Sequence, residues 1–338
     1  MDNFKEALTY DDVCLVPQFN NIPSRTEPTL KTWLTTKTEV EMPLIPANMD
    51  TVIGDDLADI IIENGGCPIF HRFTTLEQQL EWAKKYGDRC FISCGLNDLD
   101  STVKILTETD CRGVCIDIAH AHSESMKNFM IELRKNIGDK EIIAGNVCTP
   151  MGYQDLVNWG ADSVKVGIGA GAICSTRIVT GFGVSQFSAV YECSQIAKKL
   201  RVPIIADGGI RGSNDIAKAL AGGASTIMAG GIFANTFESS APKFDYEGET
   251  YMKYRGQASA DFQKDFYGGV KKGTVPEGVD FKKKVTKSAQ QIIDEMNGGL
   301  RSSFTYGGAR NIKEFQRKAE FRTVRTSYNI ESNPRPNQ

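Results

Sequence analysis

No uninterrupted apolar run in this chain approaches the roughly 20 residues that a bilayer-spanning helix requires, so no membrane partner is expected. Nor is there an excess of base. The 39 Lys and Arg stand against 42 Asp and Glu, a formal net charge of -3. That balance removes the general positive field on which bulk nucleic-acid binding depends and leaves small anionic ligands open. The opening MDNFKEALTY carries acids where a secretory signal carries a basic region and an apolar core, so a cytoplasmic location is expected. Histidine is scarce, at three. His120 and His122 stand at i and i+2 and would diverge on a helix, which argues against a metal pair. Cysteine is present in an odd number, nine, and several lie inside apolar runs, Cys90 and Cys94 in CFISC and Cys111 and Cys115 in CRGVCIDI. Such cysteines behave as small hydrophobes, so free thiols are expected rather than a disulfide framework or zinc ligands.

What the 338 residues do contain is an alternation. From MPLIPA onward, short apolar runs of strand character alternate with amphipathic stretches of helical period: PLIPA then GDDLADIIIENG, CPIF then TLEQQLEWAKKYG, CFISCG then LDSTVKILTETD, GVCIDIA then SESMKNFMIELRKNIG. EIIAGNV, DSVKVGI, VPIIADGGI and STIMAGGIF continue the series. About eight units at intervals of roughly 20 to 25 residues predict a (β/α)8 barrel, an α/β fold of TIM type whose functional face lies at the C-terminal strand ends. Residues 1 to 40 show no such repeat; TYDDVCLVPQ reads as a capping segment and LKTWLTTKTEV as a hairpin outside the main fold. Residues 241–285 are too long for a simple connector and read as a flap or lid, or as disorder. One domain over 1–330 with a mobile tail at 331–338 is expected.

The stretch VKVGIGAGAICSTRIVTG, Val164 to Gly181, carries the strongest chemical signal. A strand passes through Gly167, Gly169 and Gly171 to Cys174, with Ser175, Thr176 and Arg177 directly after. Glycines let the backbone turn and present bare amides and carbonyls, and a cysteine on such a loop can be held as a thiolate by amides and a nearby cation. The same carbonyls could hold a monovalent cation. Two further glycine pairs fall at the next strand ends, Gly208-Gly209 after Asp207, and Gly230-Gly231. Amides converging on the last two strand ends make a phosphate site in this fold. A carboxylate beside it, Asp207, would repel phosphate and suits ribose hydroxyls instead, which together describe a nucleoside monophosphate or another sugar phosphate. Asp117 and Asn146 end the fourth and fifth strands on the same face. Glu277, in VPEGV, has no role legible from its own surroundings.

Taken together, PANMDTV at 46–52, AGNV at 144–147, KVGIGAGAICSTR, IIADGGIR and MAGGIF resemble the IMP dehydrogenase and GMP reductase family of purine nucleotide enzymes, over nearly the whole chain from TYDDVCLVP to SSFTYGGA. The resemblance implies that Cys174 attacks C2 of the purine and that Asp207, Gly208, Gly209, Gly230 and Gly231 hold ribose and phosphate. Further substrate contacts are expected at Asn48, Met49, Arg255, Gly256, Gln257 and Ala258. A nicotinamide, NADPH by resemblance, would lie near Asp117, Ala119 and Asn146. A potassium-like ion would sit on carbonyls of Gly169, Gly171 and Cys174. A homotetramer is the family's usual assembly.

Within the family the resemblance points to the reductase branch, which converts GMP to IMP. CPIFHRFTTLEQQLEWAKK runs directly into CFISCG with no pair of CBS modules between, Asn48 stands where dehydrogenases place Ser, Pro or Ala, and no arginine occurs between Arg255 and Glu277 to activate water. Thr176 and Glu277 match the reductase pair that moves protons to departing ammonia. Two departures stand out: VPEGV is the dehydrogenase spelling, and Ala172 replaces a serine that often binds phosphate. A CBS-less dehydrogenase oxidising IMP with NAD, and a non-catalytic purine nucleotide-binding regulator, are the alternatives.

Overall fold

The computed structural model describes residues 4–270, 272–325 and 327–332. Seven parallel strands form one curled sheet: Leu44–Pro46, Phe91–Cys94, Gly113–Asp117, Glu141–Val147, Ser163–Val166, Ile204–Asp207 and Thr226–Ala229. Thr226–Ala229 pairs back onto Leu44–Pro46, which curls the sheet toward closure. The expected second strand, in CPIF, is reduced to a single parallel bridge, Ile69 to Phe91. Phe70 donates to Phe91 and Phe91 to Pro68, at 2.8 and 3.0 Å. Proline supplies no N–H, so Pro68 cannot donate to a ladder in this segment. With that segment counted beside Phe91–Cys94, eight strand positions follow one another in the order predicted for the barrel.

Strands covered on both faces must be apolar on both. The inward residues Ile45, Ile69, Phe91, Cys115, Ile143, Ile205 and Met228 form one cluster at the barrel centre, while Val164, Val166, Ile204 and Ile227 pack outward against the helices. Burial pushes the Cys115 thiol up to about 12, so this cysteine stays neutral and serves as filler. The helices begin where the sequence supplies caps: Thr75, Ser123, Thr149 and Ser288 each accept a hydrogen bond from the N–H three residues on. The last of these opens Ala289–Tyr306, the eighth barrel helix, which the flap separates from its strand.

The run LKTWLTTKTEV does form a hairpin, Thr32–Trp33 against Glu39–Val40, yet it is not outside the fold. Leu34 is completely buried and joins Val40 in the central barrel cluster, and Thr38 donates to the buried carboxylate of Glu141 at 2.9 Å. The hairpin plugs the N-terminal end of the barrel. Leu34→Ala should therefore cost about 3 kcal/mol in urea unfolding with the substrate KM unchanged; a loss below about 1 kcal/mol would contradict the plug. N-terminal Val13–Leu15 and C-terminal Phe321–Thr323 pair antiparallel against each other.

The flap region is ordered. Lys243–Tyr246, Glu249–Arg255 and Asp280–Lys284 make a three-stranded antiparallel sheet, and helix Ala260–Tyr267 lies between the last two strands. Of the tail expected to be mobile, Glu331 ends the short helix Ser327–Glu331, and residues 333–338 lie outside the described residues.

Candidate active site

The C-terminal strand ends enclose a cavity of about 450 Å³. The sixth strand delivers the glycine loop to its rim. Gly167 is needed there because its φ is +153° and a Cβ would lie 2.0 Å from the Asp207 carbonyl oxygen. The loop then turns so that Cys174 N–H donates to Gly171 O at 3.0 Å, and the Cys174 thiol donates to the Thr176 hydroxyl at 3.1 Å. Arg177 does not reach toward the thiol. Its guanidinium binds the loop from behind, donating to the carbonyls of Ile168, at 3.0 and 3.2 Å, and Val184.

Flap and loop are joined by backbone. Ser175 N–H donates to Glu277 O at 3.0 Å, Val279 N–H to Ile173 O at 3.0 Å, and Glu277 N–H to Ala258 O at 3.0 Å. Residues 277–279 thus lie between the cysteine loop and the Gly256–Ser259 turn, and Glu277 lines the cavity with Cys174 and Thr176.

Beneath them sits a polar centre organised by Lys165. Alternation along the sixth strand turns Val164 and Val166 outward and this lysine inward, where it is 2 % exposed. Its ammonium donates to Asp117 at 2.8 Å, Asp207 at 3.2 Å and the Asn48 side-chain oxygen at 3.4 Å. Burial alone would push the Asp117 carboxyl up, but the Lys165 charge and hydrogen bond outweigh it and hold Asp117 below the usual carboxylate range. Burial pulls Lys165 down, and the charges of Asp117 and Asp207 more than offset that, so it stays protonated above the usual lysine value. Asn146, placed where the fifth strand shifts register, donates to Asp207 at 2.9 Å and to Gly167 O at 2.7 Å.

Asp117, Ala119, Asn146, Asp207, Gly208, Gly209, Gly230, Gly231, Met49, Gly256, Gln257 and Ala258 all line this one cavity, as do Gly169 and Gly171. Two expected substrate contacts do not. Asn48 is buried below the floor, donating to Ser93 at 3.0 Å while its carbonyl accepts from Gln257 at 2.9 Å, so it positions other groups. The Arg255 side chain is committed to carboxylates, Asp50 at 2.7 Å, Asp261 at 3.1 Å and Asp265 at 2.5 Å, and anchors the flap rather than facing a ligand. His122 is paired with Asp155 at 2.8 Å.

Sequence reasoning missed four residues. Lys165 had a signal, a cation inside an apolar strand. Tyr254 packs against the Gly230-Gly231 turn so closely that a Cβ on Gly230 would lie 2.3 Å from its hydroxyl. Arg72 and Phe73 line the Asp117 side of the cavity, the guanidinium 4.2 Å from the ring centroid. Nothing local to these last three marked them.

Fold and site together define a (β/α)8-barrel protein in which Cys174, Thr176 and Glu277 line one cavity with Asp207 and the glycine pairs Gly208-Gly209 and Gly230-Gly231. The chain matches the IMP dehydrogenase / GMP reductase domain over residues 7–335, and it belongs to that family. It is 36% identical over 320 residues to the GMP reductase of Acidovorax sp. (strain JS42), covering 92% of this chain and 94% of that protein. It is 33% identical over 378 residues to the inosine-5'-monophosphate dehydrogenase of Cryptosporidium parvum, at 96% and 94% coverage. A crystal structure of a GMP reductase variant from Trypanosoma brucei in complex with guanosine 5'-monophosphate shares the fold, with a TM-score of 0.93, 24% identity and 99% coverage of both chains.

Proposed function

We propose that this protein is an oxidoreductase of purine nucleotides, a GMP reductase that converts GMP to IMP and ammonia with NADPH. The observation that carries the reading is Glu277 pinned through its backbone to the Cys174 loop, in one cavity with Thr176, and with no arginine in the flap between Arg255 and Glu277. The likeness to curated GMP reductases over almost their full length supports it.

GMP would lie with its phosphate on the amides of Gly208, Gly209, Gly230 and Gly231. Asp207 keeps an oxygen for the ribose hydroxyls, since its other oxygen accepts from both Asn146 and Lys165. Met49, Gly256, Gln257 and Ala258 would enclose the base. The Cys174 sulfur attacks C2, giving up its proton to the Thr176 hydroxyl. Thr176 and Glu277 deliver a proton to the C2 amino group, which leaves as ammonia because a free amide ion is too poor a leaving group. A purine joined at C2 to sulfur as a thioimidate remains.

The cofactor side is supported by two orphaned buried groups, the acceptor Asn146 Oδ1 and the donor Arg72 Nε, beside Asp117 and Ala119. An amide-bearing nicotinamide ring suits that pair. When bound, it supplies the hydride that enters C2 as the C–S bond breaks, yielding IMP and free Cys174. Carbonyls of Gly169, Gly171 and Cys174 would hold a potassium-like ion; a carbonyl oxygen has two lone pairs, so Gly171 O can accept from Cys174 N–H and still face a cation.

A paired assay tests the reading: GMP with NADPH should consume NADPH and release ammonia, and IMP with NAD should give no XMP. XMP formation would favour the CBS-less dehydrogenase. Glu277→Gln should lower kcat for GMP by about 10² to 10⁴ with little change in KM. A loss seen only in KM would remove Glu277 from proton transfer.

A further inference from the structure

A second cavity of about 460 Å³ opens at the opposite, N-terminal end of the barrel, within the size range of small-molecule sites. Its charged lining is entirely cationic: Lys198 and Arg201 from the end of helix Gln186–Leu200, and Lys313 from helix Ile312–Lys318. Among the described residues no Asp or Glu lines it. Among the described residues none of the three cations has an ion pair. Glu314, next to Lys313 in sequence, is taken by Lys318 at 2.7 Å, and Asp162, below the plug hairpin, by Arg134 at 2.7 Å.

Two further observations point to a ligand. Arg201 stands at φ +60°, in the left-handed region, at a helix C-cap where glycine is the unstrained choice. A non-glycine residue held in this region at the lining of a cavity is the kind of outlier that collects at functional sites. The other wall carries Trp33, 38 % exposed, whereas Trp82 is 6 % exposed in the core. An indole face accepts a flat aromatic ring by stacking.

We propose that this cavity binds a nucleoside polyphosphate, its base against Trp33 and its phosphate chain among Lys198, Arg201 and Lys313. Three unpaired cations exceed what a single phosphate needs, and charge-assisted contacts to each would be the main source of affinity. The site is back to back with the catalytic cavity. The seventh strand, Ile204–Asp207, begins in one and ends in the other, about 10 Å apart at strand rise.

Titration calorimetry with GTP, ATP and inorganic tripolyphosphate, with and without saturating GMP, tests the proposal. A nucleoside triphosphate should bind in the presence of GMP and more tightly than tripolyphosphate. Arg201→Gly suits the backbone conformation better than arginine, so folding is not at risk; it should weaken binding about tenfold, as should Lys313→Ala, with the thermal midpoint and basal GMP turnover unchanged. Trp33→Phe should weaken the nucleotide and spare tripolyphosphate. Binding that GMP abolishes, affinity unchanged in both cation variants, or equal affinity for tripolyphosphate would each overturn it.

Discussion

Cys174→Ala protein should bind GMP as tightly as the parent and oxidise NADPH at a rate lower by about three orders of magnitude or more. The sulfur is the group that would carry the purine between ammonia loss and reduction, and no second cysteine lines the cavity. Binding should survive because the proposed ribose and phosphate contacts come from other elements, Asp207 to Gly209 and Gly230 to Gly231, whose positions depend on strand ends and not on the thiol. The loop itself is fixed by Arg177 behind it and by the flap backbone in front. The decisive measurement omits NADPH: mixed with GMP, the parent should release about one ammonia per site and form a protein–purine adduct visible by mass, and the variant should do neither. Turnover retained to within tenfold would remove covalent chemistry at Cys174 altogether.

Why that cysteine could be picked out among nine is a matter of local chemistry. Cys90, Cys94, Cys111 and Cys115 lie in or beside strands buried on both faces and are fully covered; such thiols advertise themselves by apolar neighbours. Cys174 has glycines before it and hydroxyls after it. The strands were legible for the same reason, since burial on both sides leaves an apolar run. What depended on closure was not legible. LKTWLTTKTEV reads as a hairpin from its alternation, but only the curl of the barrel makes Leu34 its plug. Arg255 sits next to cavity-lining Gly256 and Gln257, yet Asp50 reaches it from far along the chain and Asp261 and Asp265 reach it only because helix Ala260–Tyr267 folds back, and together they take its guanidinium out of the site. Lys165 is the intermediate case. Its presence in a strand was visible, while the two carboxylates that justify it arrive from strands four and seven.

Lys165→Met should accordingly have the second-largest effect, on stability as well as on turnover. Methionine keeps the length and fills the barrel centre, but it leaves Asp117 and Asp207 facing each other without their cation, a change that typically costs about 3 to 5 kcal/mol in buried pairs. The pH dependence separates this from simple mispacking. In the parent, the lowered Asp117 contributes stability that is present above the ordinary carboxylate value and lost as pH falls through its folded value. Lys165, raised, contributes stability that is present below the ordinary lysine value and lost as pH rises through its folded value. Between about pH 5 and 9 neither group changes charge, so these two leave parent stability flat across that window. In the variant Asp117 loses its counter-ion, burial is left to push its carboxyl above the unfolded value, and its protonation becomes stabilising. Urea unfolding should then show Lys165→Met to be more stable at pH 5 than at pH 8, against an unchanged contribution from this centre in the parent. Parallel profiles for the two proteins would mean that the lysine is a space-filling residue and that Asp117 is held ionised by something else. Turnover should fall with it, because Lys165 and Asn146 together hold one Asp207 oxygen and so orient the carboxylate for the proposed ribose contact.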